Sequence, residues 1–249
     1  MSERSIKWSN LFALIVTVAV NVLAENLPLN GVTTGEISAK FPVLITPAPY
    51  TFSIWGLIYL LLLVYSVYQL FPRHHKLVKR IGPLFLISCI FNVGWILLWH
   101  YLYTQVWVSL IAMIGLLLSL IFIFQNIRKE RRPSTSEKWC VRLPFNIYLG
   151  WISIAAIVNV SVVLYDLQWS GFGLSDIAWT IIMLSVGSIL AWLVGVPYRT
   201  PVYMIVFVWA YVGIAIANQE LSTVFYTALG LAALLALLAI TVPFRPRVQ

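Results

Sequence analysis

Eight apolar stretches, joined mostly by short connections, leave this 249-residue chain few ways to fold. They run Trp8–Ala24, Tyr50–Leu70, Gly82–Tyr103, Val106–Phe124, Leu143–Tyr165, Asp176–Val196, Pro201–Ala217 and Thr223–Phe244. A helix needs about 20 apolar residues to cross the hydrocarbon core of a bilayer, and each stretch reaches or approaches that length. A transmembrane barrel would instead show ~10-residue strands of alternating polarity, whereas these runs are continuous. Backbone amides find no water in lipid, so the helix is the form that satisfies them. The expected fold is an all-α, eight-helix transmembrane bundle. Composition agrees: 10% of residues are charged, against about 25% in soluble domains, and mean hydropathy is +0.92. No room remains for a separate soluble domain.

Basic residues set the expected orientation, because Lys and Arg concentrate in cytoplasmic connections. Arg4, Lys7, Arg73, Lys76, Lys79, Arg80, the Arg128–Arg142 group, Arg199, Arg245 and Arg247 all fall on the side of the N-terminus. That side holds 15 of the 16 Lys and Arg residues, and only Lys40 lies opposite. Both termini are therefore expected in the cytoplasm of a cell-membrane protein, with the connection 25–50 outside. Arg4 and Lys7 ahead of Leu11–Val22 also resemble a signal peptide ending near Ala24, but the charge partition works best with that helix retained. The net charge of +8 is thus a topology signal helped by anionic lipid, and a nucleic-acid partner is not expected.

The connection 25–50 is the outlier among the short links. Most connections between packed elements are about 4–6 residues, and longer ones are usually lids or binding elements. It carries Asn26-Leu-Pro-Leu-Asn-Gly, Phe41-Pro42 and Thr46-Pro47-Ala48-Pro49, then runs into Tyr50-Thr-Phe52-Ser-Ile-Trp55.

Carboxylates do not occur near the middle of any stretch, which argues against ion-coupled or proton-coupled transport. Aromatic residues and Asn occur there instead. Trp8, Trp107, Trp139, Trp169 and Trp179 suit an interfacial belt. Trp55, Trp95 and Trp151 lie deeper. Trp55 and Tyr59 are spaced i,i+4; Asn92, Trp95 and Trp99 share one helical stripe; Tyr148, Trp151, Ala155 and Asn159 share another. An unpaired amide is costly in hydrocarbon, so Asn92 and Asn159 should turn their stripes inward and carry the aromatics with them. Cys89 and Cys140 follow no metal or disulfide spacing, and no Ser-His-Asp set or phosphate loop is present, so an enzyme is not expected.

At these residues the chain resembles the TspO/MBR family of translocator and tryptophan-rich sensory proteins. Tyr148-Leu-Gly-Trp151-Ile-Ser-Ile-Ala155-Ala-Ile-Val-Asn159 is similar to the family's fifth-helix pattern, Asn92-x-x-Trp95 to its third-helix pattern, and Pro47, Pro49, Phe52, Trp55 and Tyr59 to its lead-in to the second helix. The resemblance covers about residues 8–165 and implies a five-helix core, domain 1–165, beneath an outer loop. Residues 166–249 would then be a three-helix extension. Departures are the Ala48 between the two prolines, the three-residue step from Phe52 to Trp55, the missing Trp-Tyr of the loop, and no basic residue in Val163–Trp169 to complete a cholesterol-recognition pattern.

The resemblance implies a porphyrin, haem-like tetrapyrrole or other flat hydrophobic ligand beneath that loop, with no cofactor fixed by the residues themselves. Its implied ligand-binding set is Pro47, Pro49, Phe52, Trp55, Tyr59, Asn92, Trp95, Trp99, Tyr148, Trp151, Ala155 and Asn159. Asn92 and Asn159 are expected to bond neighbouring backbone more readily than ligand. His100, at an outer helix end, is read as structural before it is read as a haem ligand, while His74 and His75 lie in a cytoplasmic connection. Transport of a hydrophobic metabolite is the alternative role, and slow porphyrin breakdown is attributed to relatives. Ala228, Ala232 and Ala236 form a small-residue stripe suited to close packing, within the chain or between copies in a homodimer.

Overall fold

A computed structural model describes residues 2–27, 29–71 and 75–242 of the chain. Arg73, His74, Phe244, Arg245 and Arg247 lie outside the described residues, as does the side chain of His75. The described residues are mostly helical and contain no strands. Among the described residues, seven helices are long and apolar enough to cross a membrane, and the 17-residue Pro201–Ala217 is a shorter apolar one. At 1.5 Å per residue it is about 25 Å long, within the range of membrane spans. The chain is a multi-pass, all-α membrane protein in a lipid bilayer.

Its residues cluster into two units, Met1–Phe41 with Ile54–Ile152, and Pro42–Ser53 with Ser153–Gln249. The boundary after Ile152 falls upstream of the sequence division at residue 165, and the loop 25–50 contributes to both units.

In the first unit, α1 (Glu3–Asn26) starts at Ser2, whose hydroxyl accepts from the Ser5 backbone N–H at 3.2 Å. Glu3 in the first turn complements the helix dipole and pairs with Lys7 at 3.0 Å, so the helix starts five residues earlier than its apolar run. The buried residues of α1 are Lys7, Asn10, Ala13, Leu14, Thr17 and Ala24, half of them polar. The short α2 (Thr34–Ser38) carries a capping box between Thr33 and Glu36. The Thr33 backbone N–H holds the Glu36 carboxyl below the usual carboxylate range. Helix α3 (Ile54–Tyr68) is preceded by a 3-10 turn at Pro49–Ser53, so the second apolar stretch is tighter at its start than a single helix. Next come the amphipathic α4 (His75–Ile81), then α5 (Leu84–Tyr101) and α6 (Trp107–Arg128) as an antiparallel pair. The Phe91 ring of α5 lies over Gly115 of α6, where any side chain would strike it. Tyr65, Phe85 and Phe145, all fully buried, meet edge to face at 4.8 to 5.9 Å. Helix α7 (Leu143–Asp166) follows a π-helical turn at Lys138–Arg142.

In the second unit, α8 (Asp176–Gly195), α9 (Pro201–Ala217) and α10 (Ser222–Thr241) pack mutually. Ser175 caps α8 and Pro201 opens α9, where a missing N–H costs nothing. Large residues of α9, Tyr203, Phe207 and Tyr211, are buried. The Tyr211 hydroxyl donates to the Leu184 carbonyl at 2.6 Å, and that of Tyr203 to Ser153 Oγ at 2.9 Å. Ala228 and Ala232 are buried on the helix that packs most closely against α9. Their stripe therefore serves packing inside the chain.

Candidate functional site

The four deep aromatics of α3 and α7 converge in the first unit. Trp55 and Tyr59, one turn apart, stack at 5.3 Å with an interplanar angle of 17°. The Trp55 ring also meets Tyr148 at 5.9 Å and 70°, and Trp151 at 6.3 Å and 84°. Stacked and edge-to-face arrangements are those the ring quadrupole favours, each worth about 0.5–1.5 kcal/mol beyond area burial. Tyr148 and Trp151 are each 2% exposed. Thus the α3 stripe, whose direction the sequence left open, faces inward with its neighbours.

Amides reach this cluster from two further helices. Asn92 of α5, buried, donates through Nδ2 to the Tyr148 hydroxyl at 3.0 Å and accepts at Oδ1 from Asn21 Nδ2 of α1 at 2.8 Å. Its partners are side chains, where sequence reasoning expected backbone. Asn21 also donates to the Thr17 carbonyl at 2.9 Å. Beside this chain, the Tyr59 hydroxyl and the Trp95 indole N–H are buried with no hydrogen-bond partner among the described residues. A second amide pair lies nearer the start of α1, where Asn10 Nδ2 donates to Gln69 Oε1 at 3.0 Å and the Tyr65 hydroxyl donates to the same oxygen at 3.3 Å. Asn21, Asn10 and Gln69 were not singled out from sequence. Their signal was the spacing of Lys7, Asn10, Thr17 and Asn21 along one face of an otherwise apolar helix.

The α5 stripe continues towards the loop. Trp95 and Trp99 stack at 5.6 Å and 23°, and Trp99 meets Phe41 at 6.0 Å. Trp99 Nε1 donates to the Thr34 carbonyl at 3.3 Å. His100, fully buried, is engaged at both ring nitrogens: Nδ1 with the Leu29 carbonyl at 3.1 Å, Nε2 with the Thr34 hydroxyl at 3.0 Å. A carbonyl only accepts, so Nδ1 carries the proton and Nε2 accepts from Thr34. Asn30 adds a bond from Nδ2 to the His100 carbonyl at 3.1 Å. His100 is a latch for residues 29–34, and its nitrogens are committed to that role.

Pro47, Pro49, Phe52, Ala155 and Asn159 belong to the second unit. There the Ala48 backbone N–H donates to the Gly213 carbonyl at 3.0 Å. Trp209 Nε1 donates to the Thr51 carbonyl at 2.9 Å, and Asn218 Nδ2 to the Leu44 carbonyl at 2.8 Å. Tyr50 meets Trp209 edge to face at 5.5 Å. Pro47 is buried, Pro49 is exposed at the start of the 3-10 turn and Phe52 is half-buried. A Cβ at Gly213 would strike the Thr51 side chain and lie 3.1 Å from Pro47 Cβ. The proline segment is therefore seated on α9. Asn159 is buried with its amide oxygen unpartnered among the described residues, and Ala155 is half-buried.

Comparison with known families decides the membership of the chain. A family model described as TSPO-like protein matches residues 7–241. The chain belongs to the TSPO-like protein family. The match runs through α8, α9 and α10, which are therefore part of the pattern this TSPO-like chain shares with its family. No curated protein and no solved structure matches the chain. Membership supports a ligand-binding, sensory or transport role in the membrane.

Proposed function

We propose that this TSPO-like protein binds a flat hydrophobic molecule of the porphyrin or tetrapyrrole type, and that Trp55, Tyr59, Tyr148 and Trp151 form its aromatic contact set. Trp95 and Trp99 would extend that set towards the loop. The observation that carries the reading is the convergence of three rings on Trp55 beside a hydrogen-bonded amide, Asn92. Planar conjugated ligands gain from such faces through stacking. Asn92 would set the position of Tyr148, and the Tyr59 hydroxyl would offer a donor. Titration with protoporphyrin, followed by tryptophan quenching, tests the proposal. Wild type should bind saturably, and Trp151→Leu should weaken binding about three- to tenfold, the loss of one ring contact. Affinity unchanged in both Trp151→Leu and Trp55→Leu would sink it.

Transport of such a molecule is the second reading, and the polar residues along one face of α1, the buried Asn10 and Thr17 and the part-buried Asn21, favour it. Counterflow of labelled porphyrin in proteoliposomes separates the two: a binder gives no exchange across the bilayer.

We also propose that both termini are cytoplasmic in the cell membrane, on the strength of the one-sided Lys and Arg distribution. A membrane-impermeant thiol reagent should label Lys40→Cys from outside intact cells, in a background lacking Cys89 and Cys140. Labelling only after lysis would reverse the orientation. Residues 1–165 are proposed as the ligand-binding part and 166–249 as the part that supports the proline segment.

A further inference from the structure

At one end of the first unit, the C-termini of α3 and α6 and the N-termini of α5 and α7 carry a dense basic cluster gathered around Glu130, with Glu137 also acting on Arg142. Arg80 Nη1 pairs with Glu130 Oε2 at 3.0 Å. The Arg132 backbone N–H donates to Glu130 Oε1 at 3.3 Å, and the Arg142 guanidinium donates to the Glu130 carbonyl. Glu130 thereby draws Arg80, from the connection after α3, and Arg142, from the connection before α7, to one point. Together with Arg80, the Arg132 N–H holds its carboxyl below the usual range. A guanidinium has five N–H donors in a planar fork, so two arginines that each give one group to Glu130 keep donor capacity for an anion.

Three further observations point to what that anion is. Helix α4 buries Leu77, Val78 and Ile81 and leaves Lys76 and Lys79 exposed, an amphipathic helix with its charge outward. Lys138 is exposed in the π-helical turn, and next to it Trp139 is 65% exposed. An exposed Trp beside cations at the end of membrane-spanning helices is the pattern of a side chain resting at headgroup level.

We infer that this face binds the phosphodiester headgroup of an anionic phospholipid, with Arg80 and Arg142 contacting the phosphate and Lys76 and Lys138 flanking it. Trp139 lies in the interfacial layer alongside. The protein needs no charge from its ligand-binding cluster for this contact, so the two activities are separable.

The test uses the full chain in nanodiscs of equal phosphatidylglycerol and phosphatidylcholine, released into detergent, with retained lipid counted by native mass spectrometry. Wild type should retain the anionic lipid at least about fivefold over the zwitterionic one, the worth of one basic charge near an anionic membrane surface. Arg80→Gln with Arg142→Gln should abolish the preference. Because these arginines also tie two connections together, Lys76→Gln with Lys138→Gln, both at exposed positions, is the second variant and should reduce it. Lys40→Gln should leave it intact. Equal retention of both lipids by wild type overturns the inference, as does an unchanged preference in both double variants. Loss of the preference in millimolar inorganic phosphate, at constant ionic strength, also overturns it, by assigning the cluster to a free anion.

Discussion

Replacing Asn92 with leucine is expected to destabilise the first unit by about 2 kcal/mol. The amide bridges Asn21 and Tyr148, and its removal leaves the buried Tyr148 hydroxyl without that partner, while Asn21 keeps its bond to the Thr17 carbonyl. A buried group so orphaned costs about 1–3 kcal/mol in water-soluble proteins. Interhelical hydrogen bonds in membranes average about 0.6 kcal/mol and reach about 1.7, because the unfolded chain also finds partners, so the expected loss stays within the range for one orphaned group. Tyr148→Phe supplies the decisive comparison. If the bond is real, Asn92→Leu with Tyr148→Phe should cost about 1 kcal/mol less than the sum of the single changes. Additivity within about 0.3–0.5 kcal/mol, the behaviour of independent sites, would remove the bond from the account. Reversible unfolding in mixed micelles, followed by circular dichroism, reads all three.

A larger loss, about 2–4 kcal/mol, is expected of Gly213→Val. Even a methyl group there meets Thr51 and Pro47, and overpacking typically costs about 1–3 kcal/mol. Displacing the segment also removes the bond from the Ala48 N–H to the Gly213 carbonyl, worth about 1 kcal/mol. Trp209 reports the event, since its indole donates to the Thr51 carbonyl and touches Tyr50; its emission should shift to the red. Gly230 is the control. It lies in α10 with nothing within 4 Å of a built Cβ, so Gly230→Ala should be neutral or stabilising by up to about 1 kcal/mol. Equal stability of the two variants would mean that the proline segment does not sit on α9.

The membrane helices were legible because continuous apolar runs admit one solution in lipid. Their ends were less so. Helix α1 begins at Glu3 because Ser2 caps it and Glu3 compensates Lys7, details invisible to hydropathy. The Tyr50–Leu70 stretch begins as a 3-10 turn at Pro49–Ser53, a local tightening that hydropathy does not register. Within the candidate site, the inward direction of Asn92 and its neighbours followed from the cost of an unpaired amide. Its partner did not follow, because Asn21 is 71 residues away and only tertiary packing chooses it.

The loop shows the same limit more sharply. Its prolines marked it, and it reads locally as one lid. Its residues 29–41 instead find partners on α5 through Trp99 and His100, and residues 42–53 find theirs on α9. The one local clue was Gly213, a glycine in an apolar helix, which often marks close packing.

That seating has a consequence in time. The Thr51 carbonyl precedes its partner Trp209 by 158 residues, and Leu44 precedes Asn218 by 174. At a synthesis rate of about 5–20 residues per second, residues 42–53 wait roughly ten to thirty seconds for the helix that holds them. During that interval the segment that leads into the second span has no seat, so its final anchoring is among the last events in the birth of the molecule.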